Sequence, residues 1–145
     1  MKPVLLVVAP YYHDISEMLI HGATDAVYAA GHTAEMISVP GALEIPGAIA
    51  MAAKSERYAA FVALGCVIRG ETSHYDTVAN ESAHALQLLA IGHHHLAIGN
   101  GILTCENLRQ ATERADPKQG NKGGEAATAA LRMLQIRHVF GLDHS

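Results

Sequence analysis

The sequence predicts an α/β fold, a three-layer α/β/α sandwich with a four-stranded parallel sheet in a flavodoxin-like arrangement. Three observations carry this. Short apolar runs alternate with segments of helical periodicity along all 145 residues, the pattern of βαβ crossovers. The first run, VLLVVA between Pro3 and Pro10, is continuously apolar, as a strand covered on both faces should be. Glycine or proline stands at most of the junctions between segments, where the chain must turn. Right-handed crossovers then put helices on both faces of one sheet. No linker breaks the pattern, so residues 1–145 are expected to form one domain.

The elements follow in order. Strand one is the VLLVVA run. Helix one covers 14–30, where Ile15, Leu19, Ala23, Ala26, Val27 and Ala30 share a face. Asp14 or Ser16 is placed to cap its start and Gly31 to stop it. HTAEMISV (32–39) alternates and is strand two. The next segment turns at Pro40-Gly41 and enters a helix near Glu44 or Ile45, with Pro46 suited to a first turn. Strand three is 58–68. Helix three is 74–91, ended by Gly92. Strand four is assigned to 94–103, and a short helix to 105–115. After a loop at 116–120, the last helix occupies 121–140, with its start near Gly124 or Glu125.

Composition removes several function classes. Half of the residues are hydrophobic but only 5% are aromatic and none is tryptophan, so Ala, Val, Leu and Ile must fill the core. A net charge of −4 without any Lys/Arg run argues against nucleic-acid binding. The apolar stretches stop well short of the ~18 residues of a membrane span. The N-terminal apolar run is short and leads into a strand–helix unit, so no secretory signal is expected. Cys66 and Cys105, the only cysteines, suit reduced thiols and a cytoplasmic location.

Ligands of open α/β sheets bind beyond the carboxyl ends of the strands. That rule selects four loops. In PYYHD, Tyr11 or Tyr12 can stack on a flat heterocycle or simply close the sheet edge. In PGALE, Gly41 allows a close backbone approach, and Glu44 either caps a helix start or accepts hydrogen bonds from a polyol. In GCVIRGETSHYD, Gly70, Thr72, Ser73 and the amides opening helix three can cradle an anion. His74 beside them is either structural or a proton carrier. In the fourth group, Arg109 and Arg114 are five positions apart and do not share a helical face; Arg114 and Lys122 can bind phosphate or simply face solvent. Neither a nucleotide P-loop nor a GxGxxG fingerprint is present. The GHHH tract at 92–95 lacks the spacing of a zinc site, and no metal is expected. Nothing pairs Cys105 with a base, so a thiol nucleophile has no support. An FMN-binding module is the competing reading of the fold, but the loop after strand one lacks a hydroxyl-rich phosphate loop.

Together VPGALEIP (39–46), GCVIRGETSHYD (65–76), GILTCEN (101–107) and ERADPKQGNKGGEAA (113–127) resemble the lumazine synthase family, in order and over nearly the whole chain. The resemblance implies the same sandwich fold. It implies condensation of 5-amino-6-(D-ribitylamino)uracil with 3,4-dihydroxy-2-butanone 4-phosphate, releasing phosphate and water, the penultimate step of riboflavin biosynthesis. No cofactor or metal is implied. Tyr11 matches the ring that stacks on the pyrimidine. Gly41, Ala42, Leu43 and Glu44 match the ribityl-binding segment. Cys66, Val67 and Ile68 lead to the anion turn of Gly70, Glu71 and Thr72. His74 matches the proton-transfer histidine, Arg114 the phosphate-binding arginine, and Lys122 a lysine near the ribityl and phosphate groups.

The family's pocket lies between subunits of a homo-pentamer, with a decamer or a 60-subunit icosahedral shell as larger assemblies. Tyr11, Glu44 and His74 would come from one chain, and Asn100, Arg114 and Lys122 from the next. Three departures stand out. Many relatives have a small residue at Glu71, whose carboxylate is expected to point outward while its N–H serves the anion. Many have an aromatic at Asn100. The chain opens at strand one, without the extra N-terminal segment of many shell-forming relatives.

Overall fold

A computed structural model describes residues 1–71, 73–92 and 95–142. Its elements, in order, are β1 (Val4–Val8), α1 (His13–Ala29), β2 (Ala34–Ser38), a 3-10 turn (Ala42–Glu44), α2 (Ile45–Lys54), β3 (Ala60–Ile68), α3 (Tyr75–Ile91), β4 (Ile98–Cys105), α4 (Leu108–Ala115) and α5 (Lys122–Val139). The four strands form one parallel sheet in the order β2-β1-β3-β4. This is the three-layer α/β/α sandwich that the alternating pattern predicts.

The continuous apolar runs exist because both faces of β1 and β3 are covered. Val4, Leu6, Val8, Val62 and Leu64 pack with Ile15, Leu19, Val27, Ala111 and Ala127 of α1, α4 and α5. Leu5, Val7, Phe61, Ala63 and Val67 pack with Ile45, Ile49 and Leu86 of α2 and α3. Small residues bring the layers close. A Cβ at Gly99 would run into the Ala126 carbonyl, and one at Gly123 into the Leu19 carbonyl. Two of the 13 glycines therefore set how near α5 lies to β4 and to α1.

Several boundaries differ from the periodicity reading. β4 begins at Ile98 rather than residue 94. Its register with β3 runs from Phe61–Ile98 to Ile68–Cys105, so β3 dictates its ends. His95 precedes the strand, with φ 47° and its amide on the Gly92 carbonyl at 3.1 Å. Cys105 is thus in the strand, and α4 starts only at Leu108, where the Asn107 side chain accepts from the Gln110 amide at 2.9 Å. α5 starts at Lys122, ahead of Gly124 and Glu125. Asn121 adopts a left-handed conformation (φ 47°, ψ 47°) and its side chain accepts from the Gly124 amide.

Neither Asp14 nor Ser16 caps α1. Tyr12 holds the cap position without a side-chain cap bond, and Ser16 Oγ donates back to the Tyr12 carbonyl at 2.9 Å. Gly31, with φ 86°, ends that helix as expected, and Pro46 lies in the first turn of α2. Among the described residues no helix is long and apolar enough to cross a membrane.

Candidate active site

The strand order reverses direction between β1 and β3: β2 was added on one side of β1, and β3 and β4 on the other. Loops leave such a point in opposite directions and open a crevice. A cavity of about 260 Å³ lies there. Ala9, Tyr11 and Tyr12 come to it from the end of β1. Gly41, Ala42, Leu43 and Glu44 come from the turn before α2. Cys66, Val67, Ile68 and Glu71 come from the end of β3, and Val78 from α3. Three of the four loops selected from sequence therefore meet.

Each loop brings its side chains for a local reason. Tyr11 is 76% exposed and stands edge-on to Tyr12, with ring centroids 4.9 Å apart and planes at 75°. One ring is thus held nearly perpendicular by the other and keeps a face open. Tyr12 is half-buried against the α1 side of the core. Burial, then the charge of Glu71, holds its hydroxyl above the usual phenol range, so it remains a hydrogen-bond donor. Gly41 is extended, and its carbonyl accepts from the Glu44 amide at 3.1 Å. A Cβ on Gly41 would sit 3.1 Å from the Glu44 carboxylate, so glycine leaves that carboxylate room. Glu44 makes no side-chain cap bond to α2. The capping alternative is not realised, and the acid belongs to the cavity.

The β3 end supplies a thiol and a turn. Burial and the neighbouring Cys105 push the Cys66 thiol up to about 12, so at neutral pH it is a protonated wall group and not a nucleophile. Gly70 takes φ 87°, a conformation other residues resist. The turn closes with the Glu71 amide donating to the Ile68 carbonyl at 3.2 Å. Its N–H is engaged inside the turn, and Glu71 is among the residues that line the cavity. Thr72, the third residue proposed for the anion turn, lies outside the described residues, as do His93 and His94 of the histidine tract. His74 holds the cap position of α3 and is exposed; it is not among the residues lining the cavity.

A family model described as 6,7-dimethyl-8-ribityllumazine synthase matches residues 2–138. The chain belongs to the lumazine synthase family. It is 56% identical over 137 residues to the 6,7-dimethyl-8-ribityllumazine synthase of Novosphingobium aromaticivorans, covering 94% of this chain and 97% of that one. It is 54% identical over 137 residues to that of Erythrobacter litoralis, covering 94% and 96%. It is 53% identical over 142 residues to that of Sphingopyxis alaskensis, covering 98% and 99%. The lumazine synthase family is an enzyme family of riboflavin biosynthesis.

Five described residues matched to the lumazine synthase site do not line the cavity of their own chain: Gly70, His74, Asn100, Arg114 and Lys122. Asn100 is exposed on the edge strand β4, with Oδ1 accepting from the Ile102 amide at 2.9 Å. Arg114 Nη1 donates to the Thr104 carbonyl at 3.2 Å and approaches Cys105 Sγ at 3.6 Å. Lys122 Nζ lies 3.5 Å from Glu125. Among the described residues, the lining includes two acidic residues, Glu44 and Glu71, and no Lys or Arg.

Sequence reasoning missed Tyr12 as a definite member, together with Ala9 and Val78. Tyr12 was legible as one of two candidates; Ala9 and Val78 carry no chemical signal. It also missed Arg69. That guanidinium stacks 4.3 Å from the Tyr75 ring centroid, meets Glu106 at 3.1 Å and reaches Asp76 at 3.5 Å. It ties the ends of β3 and β4 to the first turn of α3, where His74 is the cap residue. Among the described residues no group of three or more His, Cys, Asp or Glu is arranged to hold a metal ion.

Proposed function

We propose that the protein is a 6,7-dimethyl-8-ribityllumazine synthase, joining 5-amino-6-(D-ribitylamino)uracil to 3,4-dihydroxy-2-butanone 4-phosphate. The observation that carries this is the convergence of the PYYHD, PGALE and GCVIRGE loops on one cavity at the β1/β3 crevice, in a chain of this family. The open face of Tyr11 stacks on the pyrimidine, a contact worth ~0.5–1.5 kcal/mol beyond its buried area. Glu44, released from capping, accepts hydrogen bonds from the ribityl hydroxyls. Cys66, Val67 and Ile68 form the wall beside the ring.

The uracil's 5-amino group attacks the butanone carbonyl, and loss of one water forms an imine. Phosphate is eliminated. The ribitylamino nitrogen then closes the ring with loss of a second water. These are reactive partners, so the protein contributes mainly orientation. His74 carries protons between the nitrogen and oxygen atoms that exchange them. No Lys or Arg among the described residues lines the cavity, which favours completion of the site by Arg114 and Lys122 of a second copy, as in a homo-pentamer. The test is lumazine fluorescence on mixing purified protein with both substrates. Product formed faster than in the protein-free mixture supports the reading; no acceleration overturns it.

A further inference from the structure

We propose that Cys105 is a positioning residue for Arg114: together with the Thr104 carbonyl, its buried sulfur fixes one end of the guanidinium and leaves the other end for a phosphate. The inference rests on the proposed function for the role of Arg114. Arg114 stands in the last turn of α4, and a long helical side chain runs back toward the helix start, here toward the end of β4. The loop after α4 packs on the Arg114 backbone. Its Gly120 amide donates to the Glu113 carbonyl at 3.0 Å, and a Cβ at Gly120 would sit 2.8 Å from the Arg114 Cα. Nη1 meets two acceptors, the Thr104 carbonyl at 3.2 Å and Cys105 Sγ at 3.6 Å. Thr104 is paired in the sheet and Cys105 is only 1% exposed, so sheet and core fix both anchors. A guanidinium holds its N–H groups in a rigid planar fork, and holding Nη1 therefore orients Nε and Nη2 as well. Those two atoms form an edge that can give a phosphate two parallel hydrogen bonds. Neither anchor is charged. Burial raises the Cys105 thiol above its ordinary range against the opposing pull of Arg114, so the sulfur stays protonated. The acids next to the pair in sequence are engaged elsewhere, Glu106 with Arg69 at 3.1 Å and Glu113 with Arg109 at 3.9 Å. The positive charge of Arg114 is thus anchored without being cancelled.

The test uses the whole protein and the variants Cys105→Ala, Cys105→Val and Cys105→Ser, each also combined with Arg114→Ala. Steady-state rates give the KM of each substrate, and inorganic phosphate is titrated calorimetrically. The net worth of a single hydrogen bond corresponds to about two- to tenfold. Cys105→Ala and Cys105→Val are expected to raise the KM of the phosphate substrate and to weaken phosphate binding by that factor, with the KM of the uracil unchanged. Cys105→Ser, which restores an acceptor, should stay nearer to wild type than either. On an Arg114→Ala background the Cys105 substitutions should change neither quantity, since no guanidinium is left to hold. Should Cys105→Val not fold, Cys105→Ala carries the same comparison. A wild-type KM for the phosphate substrate in Cys105→Ala, an equal rise in the KM of both substrates, a Ser variant that behaves like the Ala variant, or an effect that persists on the Arg114→Ala background overturns the inference. If wild type makes no lumazine, the proposed function fails and the phosphate titration decides alone: equal affinity in wild type and Cys105→Ala, or no binding by wild type, overturns the positioning role.

Discussion

At residue 66 the surroundings decide the chemistry. A cysteine lining a cavity is a candidate nucleophile by type alone, yet burial beside Cys105 raises its thiol to about 12 from an ordinary value of 9.0. The unfolded chain releases this proton at lower pH than the folded one. The folded form is therefore fully favoured below about pH 9 and loses that contribution as pH rises toward about 12. The melting temperature should fall over that window by less in Cys66→Ala than in wild type, relative to each protein's value at pH 7; identical declines would refute the assignment. His74 is chemically different. It is an exposed imidazole at the start of α3. His74→Ala is expected to lower kcat by about 10²-fold while leaving a measurable rate, because orientation remains. Glu44 could not be separated from a capping carboxylate in sequence, since both roles need an acid beside a helix start. The missing cap bond separates them.

At the level of elements, the helices are placed by small residues and by one unusual cap. Asn121 initiates α5 from the left-handed region and accepts from the Gly124 amide. Asn121→Ala loses the cap and strains the backbone, and should cost about 1–2 kcal/mol in chemical denaturation. Asn121→Gly, which tolerates that φ, should cost less than Asn121→Ala; the reverse order would show that the conformation is not what matters. The periodicity of α5 was readable, but its first turn was not. Lys122 and Gly123 break no pattern, and Gly123 signals nothing until Leu19 of α1 lies against it. β4 was misplaced by four residues at its start for a similar reason. HHLAIGNGIL looks equally strand-like throughout, and only pairing with Phe61–Ile68 chooses which part is used.

At the level of the whole molecule, the site divides. The β1, β2 and β3 loops meet in one chain, whereas Arg114 is turned to the Thr104 carbonyl and Cys105. If Arg114 of one chain serves the cavity of another, Arg114→Ala should mainly raise the KM of the phosphate substrate. Mixed assemblies of Arg114→Ala and His74→Ala chains should then recover activity. With random mixing, about a quarter of the sites would combine an intact His74 with an intact Arg114 from its neighbour. No recovery on co-expression, with mixing verified by mass, would place all the groups in one chain.

The sequence by itself determined the fold class, the alternation of strands and helices, the four loops among which the site was sought and the family, because each rests on local periodicity or on contiguous motifs. Only the tertiary structure decided which strand register β4 adopts, that Glu44 is not a cap, which three of those loops meet at the cavity, and that Arg69 ties β3, β4 and α3 together. Those outcomes depend on where backbone amides and neighbouring charges come to rest after the sheet assembles, and residues far apart in the chain set them.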